Sequence, residues 1–217
     1  MKKSKVMLFG AMALTAGLAL AACGSSQSSN ADKTYSYIFV NNPDTLDYIT
    51  STRDSTSSIT TNLIDGLLEN DQYGNLIPSM AESWTVSKDG LTYTYKIRQG
   101  AKWYTSEGEE YADVTAHDFV TGLKYAADKK AENLYLVQDS IKGLADYVEG
   151  KSSDFGTVGV KAVDDYTLQY TLNQPETYWN SKTTASILNP VNEAFLKSKG
   201  DDFGSVTPSS ILSNGPY

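Results

Sequence analysis

The sequence predicts a mixed α and β fold, mainly antiparallel, on three observations. Two stretches, 84–97 and 158–172, alternate apolar and polar residues on either side of a turn, the pattern of a hairpin with one buried face. Between and after them apolar residues recur at helical spacing. Hydrophobic residues make up 40% of the 217 before glycine is counted, which is enough to build a core and excludes wholesale disorder.

Taken in order, Thr34–Val40 (TYSYIFV) is aromatic and β-branched and reads as a strand, broken by Asn41-Asn42-Pro43-Asp44. Leu46–Asp54 is polar and irregular and reads as a loop. Ser55–Asn70 places Ile59, Leu63, Ile64, Leu67 and Leu68 on one face, predicting a helix capped by Ser55 or Ser57. In 84–97, Trp84 and Val86 alternate with polar residues, Lys88-Asp89-Gly90 turns the chain, and Leu91, Tyr93, Tyr95 and Ile97 return. Thr115-x-x-Asp118 resembles a capping box and opens a helix with Phe119, Leu123, Ala126 and Ala127 inward. Ala131–Val148 predicts one or two further helices stopped near Gly150. The second hairpin turns at Asp164-Asp165 and buries Tyr166, Leu168, Tyr170 and Leu172. A short helix over Val191–Lys199 ends at Gly200.

The chain holds 26 acidic and 18 basic residues, a net charge of -8. Lys2, Lys3 and Lys5 fall in the first 22 residues, so the rest is more acidic still. A surface that seeks phosphates needs the opposite sign, which argues against nucleic acid as a partner. Met1–Lys5 is basic and Val6–Leu20 is an uncharged apolar run. That run suits a signal peptide, because a spanning helix needs about 20 apolar residues. Leu20-Ala21-Ala22-Cys23 follows and resembles the bacterial lipobox, in which the cysteine is lipidated and the chain is cut before it. Cys23 is the single cysteine of the chain, so no intramolecular disulfide is possible. It is expected to act as a membrane anchor rather than a nucleophile, its two acyl chains giving stable attachment. Residues 23–33 then form a lipidated tether with no large apolar side chain.

Catalytic chemistry is sparse. His117, the single histidine, sits in the first turn of a predicted helix, and Asp118 beside it points elsewhere, so an exposed or capping role is expected. Gly150-Lys151-Ser152 lacks the earlier glycine of a phosphate loop, since position 145 is Ala145. The pairs Asp164-Asp165 and Asp201-Asp202, and Glu107, Glu109 and Glu110, lack metal-ligand spacing. No metal, cofactor or enzymatic activity is expected. Tyrosine is abundant, with 15 residues. It suits contact with varied organic ligands, although Tyr93, Tyr95, Tyr166 and Tyr170 read as hairpin core.

Several stretches, read together, resemble the family 5 extracellular solute-binding proteins, the peptide- and nickel-binding receptors of ABC importers. They are Leu63-Ile64-Asp65-Gly66-Leu67-Leu68, Pro78-Ser79-Met80-Ala81-Glu82-Ser83-Trp84, Asp89–Thr94, Lys102-Trp103, Val114–Phe119 and Asn214-Gly215-Pro216-Tyr217. The stretches Asn133–Gln138 and Tyr178–Thr184 are most similar to oligopeptide-binding lipoproteins of Gram-positive bacteria. One departure is a longer stretch after Trp103, Tyr104–Ala112, which is expected to be a surface loop.

The resemblance implies a bilobed periplasmic-binding-protein fold of type II closing on its ligand by a hinge. Residues 34–217 then cover part of the first lobe, with an extra subdomain at about 70–172, and the second lobe is absent. It implies a monomeric lipoprotein, held on the extracellular face of the cell membrane, that captures short peptides and delivers them to an ABC permease. A pheromone receptor on the same scaffold and a surface adhesin are the alternatives. By position match, Thr52, Arg53 and Asp54 are the expected ligand contacts, Asp54 for a peptide ammonium and Arg53 for a carboxylate. Tyr135, Thr183 and Thr184 are further candidates.

Overall fold

The computed structural model describes Ile38 and residues 41–216. The leader 1–22, Cys23, the tether to residue 33, Tyr217 and the strand expected at 34–40, Ile38 apart, lie outside the described residues. In chain order the structure runs α1 (Asp54–Thr60), β1 (Leu68–Asn70), β2 (Leu76–Pro78), β3 (Ala81–Val86), β4 (Thr92–Ile97), β5 (Lys102–Tyr104) and β6 (Glu110–Asp113). It continues with α2 (Ala116–Asp128), a 3-10 turn (Glu132–Leu136), α3 (Leu144–Val148), β7 (Val160–Asp164), β8 (Thr167–Thr171), α4 (Trp179–Lys182) and α5 (Glu193–Lys199).

Both expected hairpins form, and they join edge to edge. Trp84 pairs with Tyr95 and Val86 with Tyr93 in the first, and Ala162 pairs with Leu168 in the second. Antiparallel pairing of β4 with β8, Tyr93 opposite Tyr170 and Tyr95 opposite Leu168, gives one sheet of order β3-β4-β8-β7. The alternation puts Tyr93, Tyr95, Leu168 and Tyr170 on one buried face. Trp179 of α4 seats on that face, its ring 5.3 Å from the ring of Tyr170. Burial of each such ring contributes on the order of 2–3 kcal/mol. Gly90 takes φ +73° at the turn, a conformation that a side chain would strain.

The capping box forms as the sequence predicts. The backbone N–H of Thr115 donates to Asp118 Oδ2 at 2.8 Å, and Phe119, Leu123, Ala126 and Ala127 are buried. Asp118 also accepts from Trp103 Nε1 at 3.1 Å, so the box ties α2 to β5. The chain from Asn189 to Val191 crosses α2 closely. A Cβ on Gly122 would lie 2.2 Å from the Asn189 carbonyl oxygen, and Val191 N–H donates to the carbonyl of Asp118. The final helix ends at Gly200, as its sequence predicts.

Two expectations are corrected. The helix expected over Ser55–Asn70 ends at Thr60, its N-cap is Arg53 rather than a serine, and Leu68–Asn70 is a strand paired with Leu76–Pro78. The reason lies in the polar positions. The side chains of Ser58, Thr60, Thr61 and Asn62 all donate back to carbonyls four residues earlier, and such bonds compete with the helix and bend it. The apolar positions are still buried or half-buried, because Ile64, Leu67 and Leu68 enter the core from an irregular segment. The stretch Tyr104–Ala112 is not simply a loop either. Its ends pair as β5 and β6, Trp103 opposite Ala112, and only 105–109 turns.

Two motifs far apart in sequence close on each other. Asn214 is buried, its Oδ1 accepts from Asp65 N–H at 3.0 Å, and its Nδ2 donates to the Asp65 carbonyl at 3.1 Å. The N–H groups of Asn214 and Gly215 both donate to the Leu63 carbonyl. Beside this junction runs an apolar groove of about 680 Å³, lined by Pro43, Leu46, Ile59, Leu63, Tyr104 and Ile211 among others.

Candidate functional site

The loop between Asn41 and α1 is irregular in backbone but tightly tied. Asp47 is 7% exposed, and its carboxylate accepts four hydrogen bonds. Oδ1 takes the N–H groups of Ile49 and Thr50 at 3.0 and 3.1 Å, and Oδ2 takes the hydroxyls of Thr50 and Tyr125 at 2.6 and 2.9 Å. Tyr48 donates to the Pro190 carbonyl at 2.8 Å. Burial, reinforced by the charge of Asp47, raises the Tyr48 and Tyr125 hydroxyls well above the usual tyrosine range, so both remain donors. On the other flank Leu46 N–H donates to the Gly204 carbonyl at 2.6 Å. Gly204 has φ +72°, and a Cβ there would lie 2.7 Å from Asp47 N.

This framework presents Thr52, Arg53 and Asp54 outward at the start of α1. Thr52 Oγ1 donates to Glu132 Oε2 at 3.3 Å. Arg53 Nε lies 2.9 Å from Asp44 Oδ2 in an exposed ion pair, and such a pair is weak enough to exchange for a ligand carboxylate. Asp54 is the first residue of α1. The Thr52–Glu132 bond sets the loop against the 3-10 turn that carries Tyr135, a residue 74% exposed. Thr52, Arg53, Asp54 and Tyr135 therefore lie on adjoining segments. Sequence reasoning missed Glu132, which bridges them, and Asp47, which holds the loop.

Thr183 and Thr184 serve α4, and among the described residues no hydrogen bond or ion pair joins them to 52–54. Thr183 is fully buried and donates to the Asn180 carbonyl at 2.8 Å as the helix C-cap. Thr184, half-buried, donates to the Ser181 carbonyl at 3.0 Å. Lys182 beside them makes a 2.9 Å ion pair with buried Glu176 and donates to Ser140 at 2.6 Å.

His117 is exposed, and its Nε2 sits 3.3 Å from Asp165 Oδ1. Among the described residues no serine, threonine or cysteine side chain is hydrogen-bonded to it. Among the described residues no three His, Cys, Asp or Glu side chains converge as a metal site. The chemistry on offer is that of a polar, aromatic-edged surface with both signs of charge, suited to holding a ligand through hydrogen bonds and ion pairs.

Comparison with known proteins finds relatives along nearly the whole chain. The chain is 66% identical over 215 residues to the oligopeptide-binding protein AliB of Streptococcus pneumoniae, covering 99% of this chain and 33% of that protein. Its fold superposes on the substrate-binding domain of an oligopeptide ABC transporter from Bacillus anthracis with a TM-score of 0.73, at 35% identity, over 81% of this chain and 34% of that one. It also superposes on peptide-bound OppA of Listeria monocytogenes with a TM-score of 0.72, at 34% identity, over 80% of this chain and 33% of the other. The chain thus spans about a third of the length of the relatives it matches. Residues 75–217 match the model of the bacterial extracellular solute-binding proteins, family 5, middle region. With the sequence motifs, the sheet and the similarity in agreement, this chain belongs to the family 5 bacterial extracellular solute-binding proteins.

Proposed function

We propose that this chain supplies one wall of an oligopeptide-binding site in the substrate-binding lipoprotein of an ABC importer, and that it holds its cargo without transforming it. The observation that carries the reading is the Thr52–Glu132 bond, which joins the exposed loop 52–54 to the turn bearing Tyr135. Family membership supports peptides as the ligand class. Asp54 would meet a peptide ammonium, Arg53 would leave Asp44 for a carboxylate, and the Tyr135 ring would cover an apolar side chain. Cys23 would carry the lipid that keeps the protein on the extracellular face of the membrane, where a permease receives the peptide.

The test is calorimetric titration of the chain with defined tri- to hexapeptides and with free amino acids. Peptides should bind saturably, weakly because one wall leaves the ligand open to water, and Arg53→Ala and Asp54→Ala should each weaken binding. Equal heats for free amino acids and peptides would remove the reading. Palmitate labelling in cells that is lost in Cys23→Ala tests the anchor, and unchanged labelling would remove it.

A further inference from the structure

The loop that bears Thr52, Arg53 and Asp54 has no regular structure of its own before α1, yet it is bound at several points to elements distant in sequence. We propose that Asp47 is the positioning residue of this ligand surface, setting the loop against α2 through Tyr125. This inference rests on the reading of 52–54 as a peptide contact.

The geometry is specific. The two oxygens of Asp47 divide the work. Oδ1 closes the turn through the amides of Ile49 and Thr50, and Oδ2 takes the hydroxyl of Tyr125, 78 residues away on α2. Ser51 N–H then donates to the Asp47 carbonyl at 3.0 Å. From Ser51 the support passes directly to the ligand segment, since Arg53 N–H donates to Ser51 Oγ at 3.3 Å and Ser51 Oγ donates to Thr56 Oγ1 at 3.1 Å. Thr56 in turn donates to the Thr45 carbonyl at 2.9 Å, and Thr45 Oγ1 donates to the Gly204 carbonyl at 2.7 Å. Asp47 is thus the one carboxylate in a closed circuit around the loop among the described residues. It is buried with all its bonds inside the protein, and this leaves it out of ligand contact. A loop ordered in advance spares the ligand the entropy of ordering it, which favours affinity without a direct contact.

The test compares Asp47→Ala, Asp47→Asn and Tyr125→Phe with Leu123→Ala, a buried α2 change that touches none of these bonds. Amide hydrogen exchange is read along the whole chain, and trialanine is titrated against the backbone resonances of 52–54. Asp47→Ala should speed exchange at 49–54 by about tenfold or more while β4 and β8 hold their protection, because loop opening is local. It should also weaken the trialanine response by about tenfold, the equivalent of about 1.4 kcal/mol. Asp47→Asn keeps the acceptor for the two amides but sets its NH2 against the hydroxyls, which must turn to accept, so it should recover part of the protection and of the trialanine response lost in Asp47→Ala. Leu123→Ala should lower the melting temperature and leave loop exchange unchanged, which separates positioning from stability. If Asp47→Ala does not fold, Tyr125→Phe carries the same test at about threefold, since a single hydrogen bond contributes less. Exchange at 49–54 unchanged in these variants, or raised evenly through the core, overturns the proposal. Absence of any trialanine response at 52–54 in the parent overturns instead the peptide reading on which it rests.

Discussion

Asp118 concentrates several roles in one carboxylate. It closes the capping box of α2, accepts from Trp103 and is buried, and this burial raises its pKa from 3.8 to about 6. A carboxyl whose folded pKa is raised favours the folded state while protonated, so its contribution is complete below pH 3.8 and is lost as pH rises through about 6. An asparagine keeps the acceptor oxygen and has no charge to desolvate. Asp118→Asn should therefore match the parent near pH 4 and exceed it at pH 7.5 by up to about 3 kcal/mol, measured by urea unfolding across that range. Parallel stability curves for the two proteins would refute the assignment. Asn214 supplies a second prediction. Its truncation to alanine leaves the N–H and carbonyl of Asp65 without their partners, and should cost about 2–3 kcal/mol in the same assay. Legibility at this scale followed local spacing. Thr115-x-x-Asp118 was visible because both arms of a capping box lie within four residues. Asp47 was not, because its decisive partner Tyr125 is set by the fold.

Among the elements, the hairpins and α2 are legible in the sequence, and the end of α1 is not. Alternation at period two survives folding when one sheet face is buried, and Tyr93, Tyr95, Leu168 and Tyr170 meet on that face. The apolar spacing of 59–68 is equally regular, but α1 ends at Thr60, where serines and threonines bond their own backbone, and an irregular chain buries the apolar residues beyond it. Periodicity reports which residues go inside and leaves open which backbone takes them there. The candidate site was half visible for a related reason. The loop 52–54 and Tyr135 came from resemblance to a family, while the Glu132 bridge between them needs the folded chain. At the helix–chain crossing, Gly122 has no room for a methyl group against the Asn189 carbonyl. Gly122→Ala improves helix propensity by about 1 kcal/mol, yet the clash is with backbone and overpacking costs about 1–3 kcal/mol. A net loss of stability in thermal unfolding is the expected result, and a gain would show that the crossing yields.

For the molecule as a whole, the apolar groove and the candidate ligand loop share α1 but use different parts of it. Ile59 of α1 and Leu63 just beyond its end line the groove, while Asp54 opens the helix at the loop end. An apolar concavity of about 680 Å³ in a chain of net charge -8 is a place where an amphiphilic dye gathers although the protein is otherwise well solvated. The chain should therefore enhance anilinonaphthalene sulfonate fluorescence in its native state, with near-UV circular dichroism intact. Ile59→Glu brings a negative charge to the groove wall that repels the sulfonate of the dye, and should reduce that enhancement without changing the circular dichroism. Saturating trialanine should leave the dye signal where it was, because 52–54 does not line the groove. The competing explanation for dye binding is a loosely packed core, and it makes opposite predictions. A molten state would bind dye with weakened near-UV signal and would be indifferent to one substitution at the surface. Dye fluorescence insensitive to Ile59→Glu would transfer the signal from the groove to the core, and displacement by trialanine would merge the two surfaces into one.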